Sequence, residues 1–492
     1  NQVYLDVTGR NDWSSALVYA NGTGNHSYFY PSVSGSWIIS ETFREQLPEW
    51  ISFAKVRGSW AQVGNDTDPY YVNQAYGFGT SVLPNAGNIY TNTLNTIMKA
   101  SNLKPERKNA WEIGLDFRTF KNRLNLDVTY YKENTKDQIM EIATPWVSGI
   151  STQLINAGNI QNQGIELALN TIPFQNEDWE WGLDFTWTKN TSKIVELHPD
   201  AAEYISLAGQ VNAYDYRIGS VAKVGGSYGM LMTDILPARD DQGRVLLNYS
   251  DTRRAVYERR SGVVQELGDM QPDFLGSMST SLRWKNLSLH VGLDMRIGGL
   301  VAMYSNRYGS NAGWTKTSLK YRDAASGGLT WTSQYAGGSN GITYEDGVIL
   351  EGVFAPGTSA TGIDGKSHDI SGMTHQQAID AGIIEPTHAS AYHVFRNSWG
   401  EGVVNDDWVH ELSYIALRDI TLSYRMPKSI ASKIGAKGLN LSLAARNVGY
   451  IYNSLPNNVH PESVRGNRSA EFRIRGYEPY IRNYTFTINA EF

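Results

Sequence analysis

Four histidines are the first residues whose type and spacing could form a site. They are His368, His375, His388 and His393. Zinc sites usually combine histidines one helical turn apart, an HExxH segment, or cysteine ligands. None of these patterns occurs here, and the chain has no cysteine. We therefore predict loop histidines without a metal, with His375 exposed on a short helix that Thr374 caps.

Acidic residues in the second half of the chain could take part in acid–base chemistry or bind calcium. They are Glu345, Asp346, Asp364, Asp369, Asp406 and Asp407. A glycosidase needs two carboxyl groups at a set distance in space, and a typical calcium loop needs a D-x-D-x-D-G pattern that is missing. The glycine run at 225–229 lacks the GK[ST] of a phosphate-binding loop. We predict no enzyme, no catalytic residues, no metal and no cofactor, with a loop calcium site as the alternative.

Composition narrows the class of protein further. The 492 residues carry 43 Lys and Arg against 49 Asp and Glu, a net charge of −6, and 12% are aromatic. A nucleic-acid binder would concentrate basic residues, so no nucleic-acid partner is expected. No run of about 18 apolar residues exists, which excludes a membrane helix. Membrane strands remain possible, because they place lipid-facing residues only at every second position.

The elements that would position any site show a period of two. Trp179–Thr188 places five apolar residues on one face and Glu180, Asp184 and other polar residues on the opposite face. The same alternation recurs at Trp111–Arg118, Arg123–Tyr131, Leu287–Gly298 and Tyr484–Phe492. These strands approach the roughly 9–11 residues that span a bilayer at a tilt. Aromatic residues at strand ends resemble interfacial girdles; they are Trp111, Phe117, Phe120, Tyr130, Trp179, Trp187, Trp284 and Phe492.

This pattern predicts an all-β, transmembrane antiparallel β-barrel with about 13 strands in this chain. Their centres are near Tyr4, Val33, Val56, Ile113, Leu126, Leu167, Leu183, Met230, Met278, Val291, Leu417, Leu441 and Phe486. A break in the alternation at Arg418 predicts a β-bulge. Tight turns are expected at Phe120–Asn122 and Lys285–Asn286, and long loops at about 65–109, 234–273 and 299–411. Short turns on one side and long loops on the other are typical of outer-membrane barrels.

An odd number of strands cannot close a single-chain bacterial barrel. We therefore interpret residues 1–492 as the C-terminal portion of a larger barrel, with a plug and the N-terminal strands outside this chain. An open edge in lipid would leave backbone groups unpaired, at a cost of several kcal/mol each.

Two groups of residues are candidates for contact with other molecules. If the alternation is assigned correctly, one group faces the lumen and either pairs within the wall or holds a plug: Lys55, Arg57, Glu112, Asp116, Arg118, Asp127, Glu166, Asp184, Asp294 and Arg296. The other group contains loop aromatics that could stack on a substrate, contact a partner or pack within the loops. Its members are Tyr70, Tyr71, Tyr76, Tyr304, Tyr308, Trp314, Trp331, Tyr335 and Trp399.

Several segments, in order, resemble the SusC/RagA-like branch of TonB-dependent outer-membrane transporters from Bacteroidetes. They are Asn102–Ile139, Asn156–Leu167, Glu411–Pro427, Leu443–Tyr452 and the HPES of His460–Ser463, where the family often has an acidic residue before the proline. The terminal Phe492 is similar to the C-terminal signal that barrel-assembly machinery reads. The resemblance covers most of the chain.

This resemblance implies a barrel of about 22 strands around a plug, in the bacterial outer membrane. It also implies import of a glycan or peptide, driven by TonB and the proton gradient, under a SusD-like surface lipoprotein lid. Dimers of transporter–lid pairs are a further expectation from the resemblance. The alternatives are a passive porin or adhesin barrel, and a secreted soluble β protein that binds carbohydrate.

Overall fold

The computed structural model describes the chain except residues 1, 74–75, 84–86, 95, 100–101, 144–146, 148–149, 151, 200–202, 210, 212–216, 251–253, 259–262, 336–338, 398–403, 465–469 and 477–478. Its first strands are β1 (Val3–Trp13), β2 (Ser27–Ile38), β3 (Ile51–Asn65), β4 (Tyr76–Leu83), β5 (Gly87–Leu94), β6 (Ile97–Lys99), β7 (Glu106–Thr119), β8 (Leu124–Ala143), β9 (Thr152–Gln175) and β10 (Trp179–Glu196). The next are β11 (Tyr204–Gly209), β12 (Ile218–Lys223), β13 (Tyr228–Thr233), β14 (Leu246–Ser250), β15 (Arg254–Tyr257), β16 (Gln265–Asp269), β17 (Phe274–Trp284), β18 (Leu287–Ile297) and β19 (Leu300–Ala302). The last are β20 (Leu329–Thr332), β21 (Thr343–Val348), β22 (Val353–Phe354), β23 (Ser359–Thr361), β24 (Ser367–Asp369), β25 (Thr387–His388), β26 (Val409–Glu411), β27 (Tyr414–Arg425), β28 (Gly438–Asn453) and β29 (Asn483–Glu491).

Helices are few and short. They are α1 (Ile39–Thr42), α2 (Tyr304–Asn311), α3 (His375–Asp380), α4 (Ala389–Asn397) and α5 (Lys428–Ala431). Among the described residues, no helix combines the length and apolar character needed to cross a membrane.

One antiparallel sheet dominates the fold, and we call it the wall. Its strand order is β1-β2-β3-β7-β8-β9-β10-β17-β18-β27-β28-β29, and β6 adds a short parallel pair to β9. In the described chain β1 and β29 are the two edges of the wall. The wall contains twelve of the thirteen predicted strands. The exception is the strand centred near Met230, which belongs to a separate sheet, β11-β12-β13-β16. With six residues, β13 is too short for a wall strand.

The register of the wall separates an apolar face from a polar face. Successive cross-strand neighbours on the apolar face from β3 to β10 are Val56, Leu115, Val128, Leu167 and Trp187. The adjacent residue on each of these strands points to the polar face. The cross-strand neighbours there are Lys55, Asp116, Asp127, Ala168 and Thr186. Because side chains alternate between faces, a shift of one residue in any strand would move charges into the apolar row.

Aromatic rings form two levels on the wall. Near the short turns, Trp179 stacks on Trp284 with ring centroids 5.7 Å apart. At the other level, Trp111 contacts Tyr130 with centroids 5.3 Å apart. Trp111 and Phe120 are nine residues apart, or about 30 Å along a strand. At a tilt of about 40° this separation corresponds to roughly the height of the apolar band of an outer-membrane barrel.

Connections between wall strands differ at its two ends, which we call the turn end and the loop end. The turn end holds 39–50, 120–123, 176–178, 285–286 and 426–437. Phe120, Lys121 and Asn122 all have left-handed φ values, and Phe120 is held by stacking on Trp50 with centroids 5.9 Å apart. The loop end holds 14–26, 66–105, 144–151, 197–273, 298–413 and 454–482. The segment predicted as 234–273 thus begins earlier, since β11–β13 lie outside the wall.

The long connections fold together into a layer with its own core, which we call the loop layer. Leu247 and Tyr249, from 197–273, pack in one cluster with Phe354 and Ile370, from 298–413. A second cluster joins Ile218, Tyr304 and Phe472, each from a different connection. Backbone hydrogen bonds add to this packing, because the Ala302 N–H donates to the Phe472 carbonyl (2.9 Å) and the Ile474 N–H donates to the Ala302 carbonyl (2.9 Å). Three connections that are distant in sequence therefore stabilise one another.

Candidate functional site

All ten candidate lumen residues lie on the polar face of the wall. The register places Lys55 opposite Asp116, Asp116 opposite Asp127, and Asp184 opposite Ser279. The other candidates either lie an even number of residues from these positions on the same strand or pair with a residue of the same face. They are Arg57, Glu112, Arg118, Glu166, Asp294 and Arg296. That this face lines a lumen remains a prediction.

Arg57 makes several side-chain hydrogen bonds on the polar face in the first half of the wall. Its guanidinium donates to both carboxylate oxygens of Asp127 (2.7 and 2.8 Å) and to the Thr129 hydroxyl (2.6 Å). It lies across Gly114, where an added Cβ would come within 2.6 Å of the guanidinium carbon. Glycine at 114 therefore lets Arg57 reach from β3 over β7 to β8. Such a bidentate pair has a fixed geometry.

A recess of about 230 Å³ opens beside this pair on the polar face. Its lining includes Asp6, Ser36, Lys55, Arg57 and Glu112, from β1, β2, β3 and β7. Farther along the wall, Asp116 pairs with Arg118 (3.0 Å), and Asp184 accepts from Asn170 (2.8 Å) and Ser279 (3.1 Å). Charges of both signs are thus spread over the face, with several paired to each other.

A group of interacting polar side chains lies where the wall meets the loop layer. Arg418 donates to Asp294 through Nη2 (2.6 Å) and to both oxygens of Glu462 (2.9 and 2.7 Å). The Tyr450 hydroxyl donates to Glu462 (2.8 Å) and lies 2.9 Å from His460 Nδ1. We call the set Asp294, Arg296, Tyr414, Arg418, Tyr450, His460, Glu462 and Tyr480 the junction cluster. It joins β18, β27 and β28 to the connection 454–482.

The predicted bulge explains how Arg418 reaches this cluster. Leu417 pairs with Leu293 and Asp419 pairs with Gly292, so Arg418 is skipped by the ladder on that side. The ladder to β28 also shifts between Leu417 and Asp419. A bulge inserts an extra residue and re-aims its side chain. Arg418 can thus share the polar face with Asp419.

Glu462 is one of three members of the cluster, with His460 and Tyr480, that come from the connection 454–482. The hydrogen bonds from Arg418 hold the pKa of Glu462 below its usual range, against the opposing effect of burial. Its carboxylate therefore stays charged through mildly acidic pH, and the contact with Arg418 is lost only when the pH falls through that lowered pKa. The sequence singled out Arg418 only as a bulge and Glu462 only within HPES. Nothing in the sequence indicates that the two side chains meet.

Ser281, His290 and Asp419 form a hydroxyl–imidazole–carboxylate row on the polar face. The Ser281 hydroxyl lies 3.2 Å from His290 Nδ1, and His290 Nε2 lies 3.4 Å from Asp419. An acyl-transfer site also needs backbone donors aimed at an oxyanion. Ser281 lies inside β17, whose backbone is paired with β10 and β18 on both sides. The row is therefore a chain of polar contacts within the wall.

The loop aromatics divide into buried and exposed residues. Tyr304 is buried in the core of the loop layer, and Tyr335 is buried with its hydroxyl 3.0 Å from that of Tyr249. For these two residues, the structure shows packing within the loops, which was one of the alternatives predicted. Tyr71 is partly buried, with the Lys99 ammonium 3.9 Å from its ring centre, and Trp331 stacks on Tyr344 with centroids 5.1 Å apart.

Other loop aromatics are open to solvent. Tyr70, Tyr76, Tyr308 and Trp314 are exposed. Tyr76 stands on the hairpin β4–β5, and Trp314 follows α2. Trp399 lies outside the described residues. At the last strand, the exposed Phe492 has its carbonyl oxygen 2.6 Å from Lys437 Nζ, which donates to it.

The prediction that His375 is exposed was wrong. Thr374 does cap α3, with its hydroxyl accepting from the Gln377 N–H, but His375 is fully buried. Its Nδ1 accepts from the Leu350 N–H (3.0 Å) and its ring packs 6.0 Å from that of Phe354. The helix lies against the loop-layer core, so its first residue points inward. Burial lowers the pKa of His375 to about 4.

The other three loop histidines have separate partners. His368 contacts Asp364 (2.8 Å), His388 contacts Asp346 (3.1 Å), and His393 contacts the Lys320 carbonyl (2.7 Å). In the part of the chain that the structure describes, no three His, Asp or Glu side chains come close enough together to hold a metal ion.

A family model described as TonB dependent receptor-like, beta-barrel, matches residues 1–448. TonB-dependent receptor P3 of Formosa agariphila is 23% identical over 511 residues, covering 99% of this chain and 43% of that relative. TonB-dependent receptor SusC of Bacteroides thetaiotaomicron is 23% identical over 318 residues, covering 61% of this chain and 30% of that relative.

Solved structures share the fold. The RagAB peptide transporter superposes with a TM-score of 0.65 at 18% identity, covering 99% of this chain and 45% of the matched chain. The open-open state of the RagAB peptide importer superposes with a TM-score of 0.63 at 18% identity, covering 100% of this chain and 45% of the matched chain. The chain spans less than half the length of these relatives. The predicted barrel fold, SusC/RagA-like resemblance and outer-membrane location are confirmed. This chain belongs to the TonB-dependent receptor-like β-barrel family.

Proposed function

We propose that the protein containing this chain imports a glycan or peptide nutrient across the outer membrane, driven by TonB and the proton gradient. The observation that carries the proposal is the division of the wall into two unlike faces and two unlike ends. The apolar face matches lipid, the polar face suits a hydrated interior, and the folded connections stand at one end only. Membership of the TonB-dependent receptor family supplies the energy source in this proposal. The protein is a transporter in this reading, so no catalytic residues are assigned.

A surface lipoprotein of the SusD type is the partner that we assign to the loop end. SusC-type relatives and the RagAB complexes support this choice. Tyr70, Tyr308 and Trp314 are exposed there, and exposed aromatics are enriched in protein interfaces. The lid would hold the substrate over the loop layer while TonB acts on a plug from the other side. Dimers of transporter–lid pairs remain part of the proposal.

A passive porin or adhesin barrel is the second candidate. It would share the wall but need neither energy nor a lid. The secreted soluble β protein is disfavoured by the wall itself, because its apolar face holds exposed Val, Leu and Phe side chains in every strand pair.

Uptake by living cells separates these candidates. Cells that express the full-length protein should accumulate labelled oligosaccharide or oligopeptide, and uptake should stop when tonB is deleted or a protonophore collapses the gradient. A matched strain that lacks only the gene gives the background. Uptake that continues at the same rate without TonB and without the gradient would favour the passive barrel.

Detergent extraction tests the lid. A heat-shifted band on unheated versus boiled gels should co-purify with a lipoprotein and with peptides from a plug and further strands. A chain that is soluble without detergent and migrates alone would contradict the proposal.

A further inference from the structure

The junction cluster has the composition of a carboxylate-binding site. Arg418 grips the Glu462 carboxylate with two parallel N–H···O bonds, and the Tyr450 hydroxyl adds a third donor. Planar, bidentate contact is the way arginine recognises carboxylates. The two donors, Arg418 and Tyr450, belong to the wall strands β27 and β28, whereas the Glu462 carboxylate belongs to a loop.

The wall retains its own partner for Arg418 when Glu462 is set aside. Asp294 stays within 2.6 Å of Nη2 and 3.2 Å of Nε, so the guanidinium keeps its orientation. Arg296 lies two residues from Asp294 and opposite Tyr414, and its hydrogen bond goes to the Met270 carbonyl (2.9 Å). Without Glu462, Arg418 would keep Asp294 as its partner, and the Nη1 and Nη2 N–H groups that now donate to Glu462 would be free to donate to a ligand carboxylate.

Further donors around the cluster are not satisfied within the described chain. Arg296 Nε, Ser463 Oγ and Tyr480 Oη are buried without a hydrogen-bond partner there. Buried polar groups are normally hydrogen-bonded. The Tyr480 ring lies 5.2 Å from that of Tyr450 and 5.0 Å from that of His460, which gives the cluster aromatic faces beside its donors.

These features suit an acidic sugar better than a peptide. A uronic acid presents one carboxylate and several hydroxyls on a ring that stacks on aromatic faces. An extended peptide gains much of its affinity by pairing its backbone with a free strand edge. Here β27 is already paired with β18 on one side and β28 on the other.

Resting on the importer function proposed above, we propose that Arg418 and Tyr450 bind the carboxylate of an acidic oligosaccharide. Glu462 occupies this site as an internal substitute in the state described here. Substrate and the Glu462 carboxylate therefore compete for Arg418, and binding of one displaces the other. An internal competitor lowers the apparent affinity by the fraction of molecules in which the site is open.

Titration calorimetry on the full-length protein, purified in detergent with its co-purifying chains, tests this proposal. The probes are a galacturonic acid trimer, a neutral galactose trimer and a glutamate tripeptide. We expect the acidic sugar to bind at least about tenfold more tightly than the neutral one. Glu462→Gln should tighten its binding by about tenfold, because a weaker internal competitor opens the site more often. Arg418→Met should weaken it by tenfold or more.

Arg425→Met is the matched control, because Arg425 is at the turn end of the same strand β27. It should leave binding unchanged, and all variants should keep the heat-shifted gel band of a folded barrel. Equal binding of the neutral trimer would overturn the proposal, as would an affinity that neither Glu462→Gln nor Arg418→Met alters. Arg418-dependent binding of the tripeptide alone would overturn the assignment to a sugar. Failure of the importer function would appear separately, as TonB-independent uptake by the wild type.

Discussion

The wall and the loop layer place their apolar residues in opposite ways. In the wall, Ile113 is 56% exposed and Leu443 is 59% exposed, although both are large and apolar and lie on inner strands of the sheet. In the loop layer, Phe354 is 0% exposed and Phe472 is 1% exposed. The two regions are built from the same kinds of side chain in one continuous chain. The difference follows from their solvents, because lipid accepts an apolar surface that water would drive inward.

Different interactions determine the structures of the wall and the loop layer. In the wall, backbone pairing and strict alternation determine which face each side chain occupies. A register slip of one residue would move every side chain of that strand to the opposite face. In the loop layer, two connections must meet to form the first cluster and three to form the second. The wall should therefore tolerate the loss of the loop layer, whereas the loop layer depends on the wall to hold its ends together.

The largest expected effect comes from the core of the loop layer. Phe354→Ala removes a fully buried ring and should lower the free energy of unfolding of this layer by about 3–5 kcal/mol. Pulse proteolysis of the full-length protein in detergent should then cut 298–413 much faster. The heat-shifted band should persist, because Phe354 is not part of the wall. Loss of that band together with the loop core would show that the two regions unfold as one.

Two adjacent residues of β9 test the face assignment of the wall. Leu167→Arg places a charge on the apolar face and should cost about 2–4 kcal/mol in the bilayer. Ala168→Arg places the same charge one residue on, opposite Asp127 and Thr186, and should cost little. Refolding into lipid vesicles, followed by urea titration, measures both. Equal costs for the two variants would mean that the faces are assigned incorrectly.

Acid should weaken the loop layer through His375. Its pKa is about 4 in the folded layer and 6.5 in the unfolded chain, so the unfolded state binds more protons between these values. Stability should therefore fall as the pH drops below 6.5 and level off below about 4, with a loss of about 2 kcal/mol between pH 6.5 and pH 5. Urea titration with pulse proteolysis at each pH measures this loss of stability.

His375→Gln is the informative variant, because a glutamine oxygen can still accept from the Leu350 N–H. It should flatten the pH dependence of the stability of the loop layer. A wild-type layer equally stable at pH 6.5 and pH 5 would contradict the buried, neutral state of His375.

Sequence predicted the wall well because alternation over ten or so residues leaves one assignment for each strand. Leu167 and Ala168 could be given opposite faces from the sequence alone. The Met230 strand has three consecutive apolar residues and only six residues in all, so it lacks both the alternation and the length of the wall strands. The bulge at Arg418 was visible as two adjacent polar residues where one was expected.

The candidate site was far less predictable. Arg418 and Glu462 are 44 positions apart, and their contact depends on how the connection 454–482 folds against the wall. Tyr304 and Tyr335 could not be distinguished by residue type from the exposed Tyr308 and Trp314. Their burial depends on packing between separate connections. Residue type alone indicates what a side chain can do, but not whether a neighbouring loop covers it.

The smallest expected effect tests whether local helix signals matter in the loop layer. The Thr374 hydroxyl accepts from the Gln377 N–H (3.1 Å), and the Gln377 side chain accepts from the Thr374 N–H (2.8 Å). Thr374→Ala should cost about 1 kcal/mol in this layer, and Thr374→Ser should cost much less because serine caps equally well. Pulse proteolysis in urea can resolve the difference. Since α3 begins at His375, the alanine variant should shift the stability curve downward at every pH without changing its slope. A changed slope would mean that the cap also maintains the burial of His375, so that the two effects are coupled through one helix end.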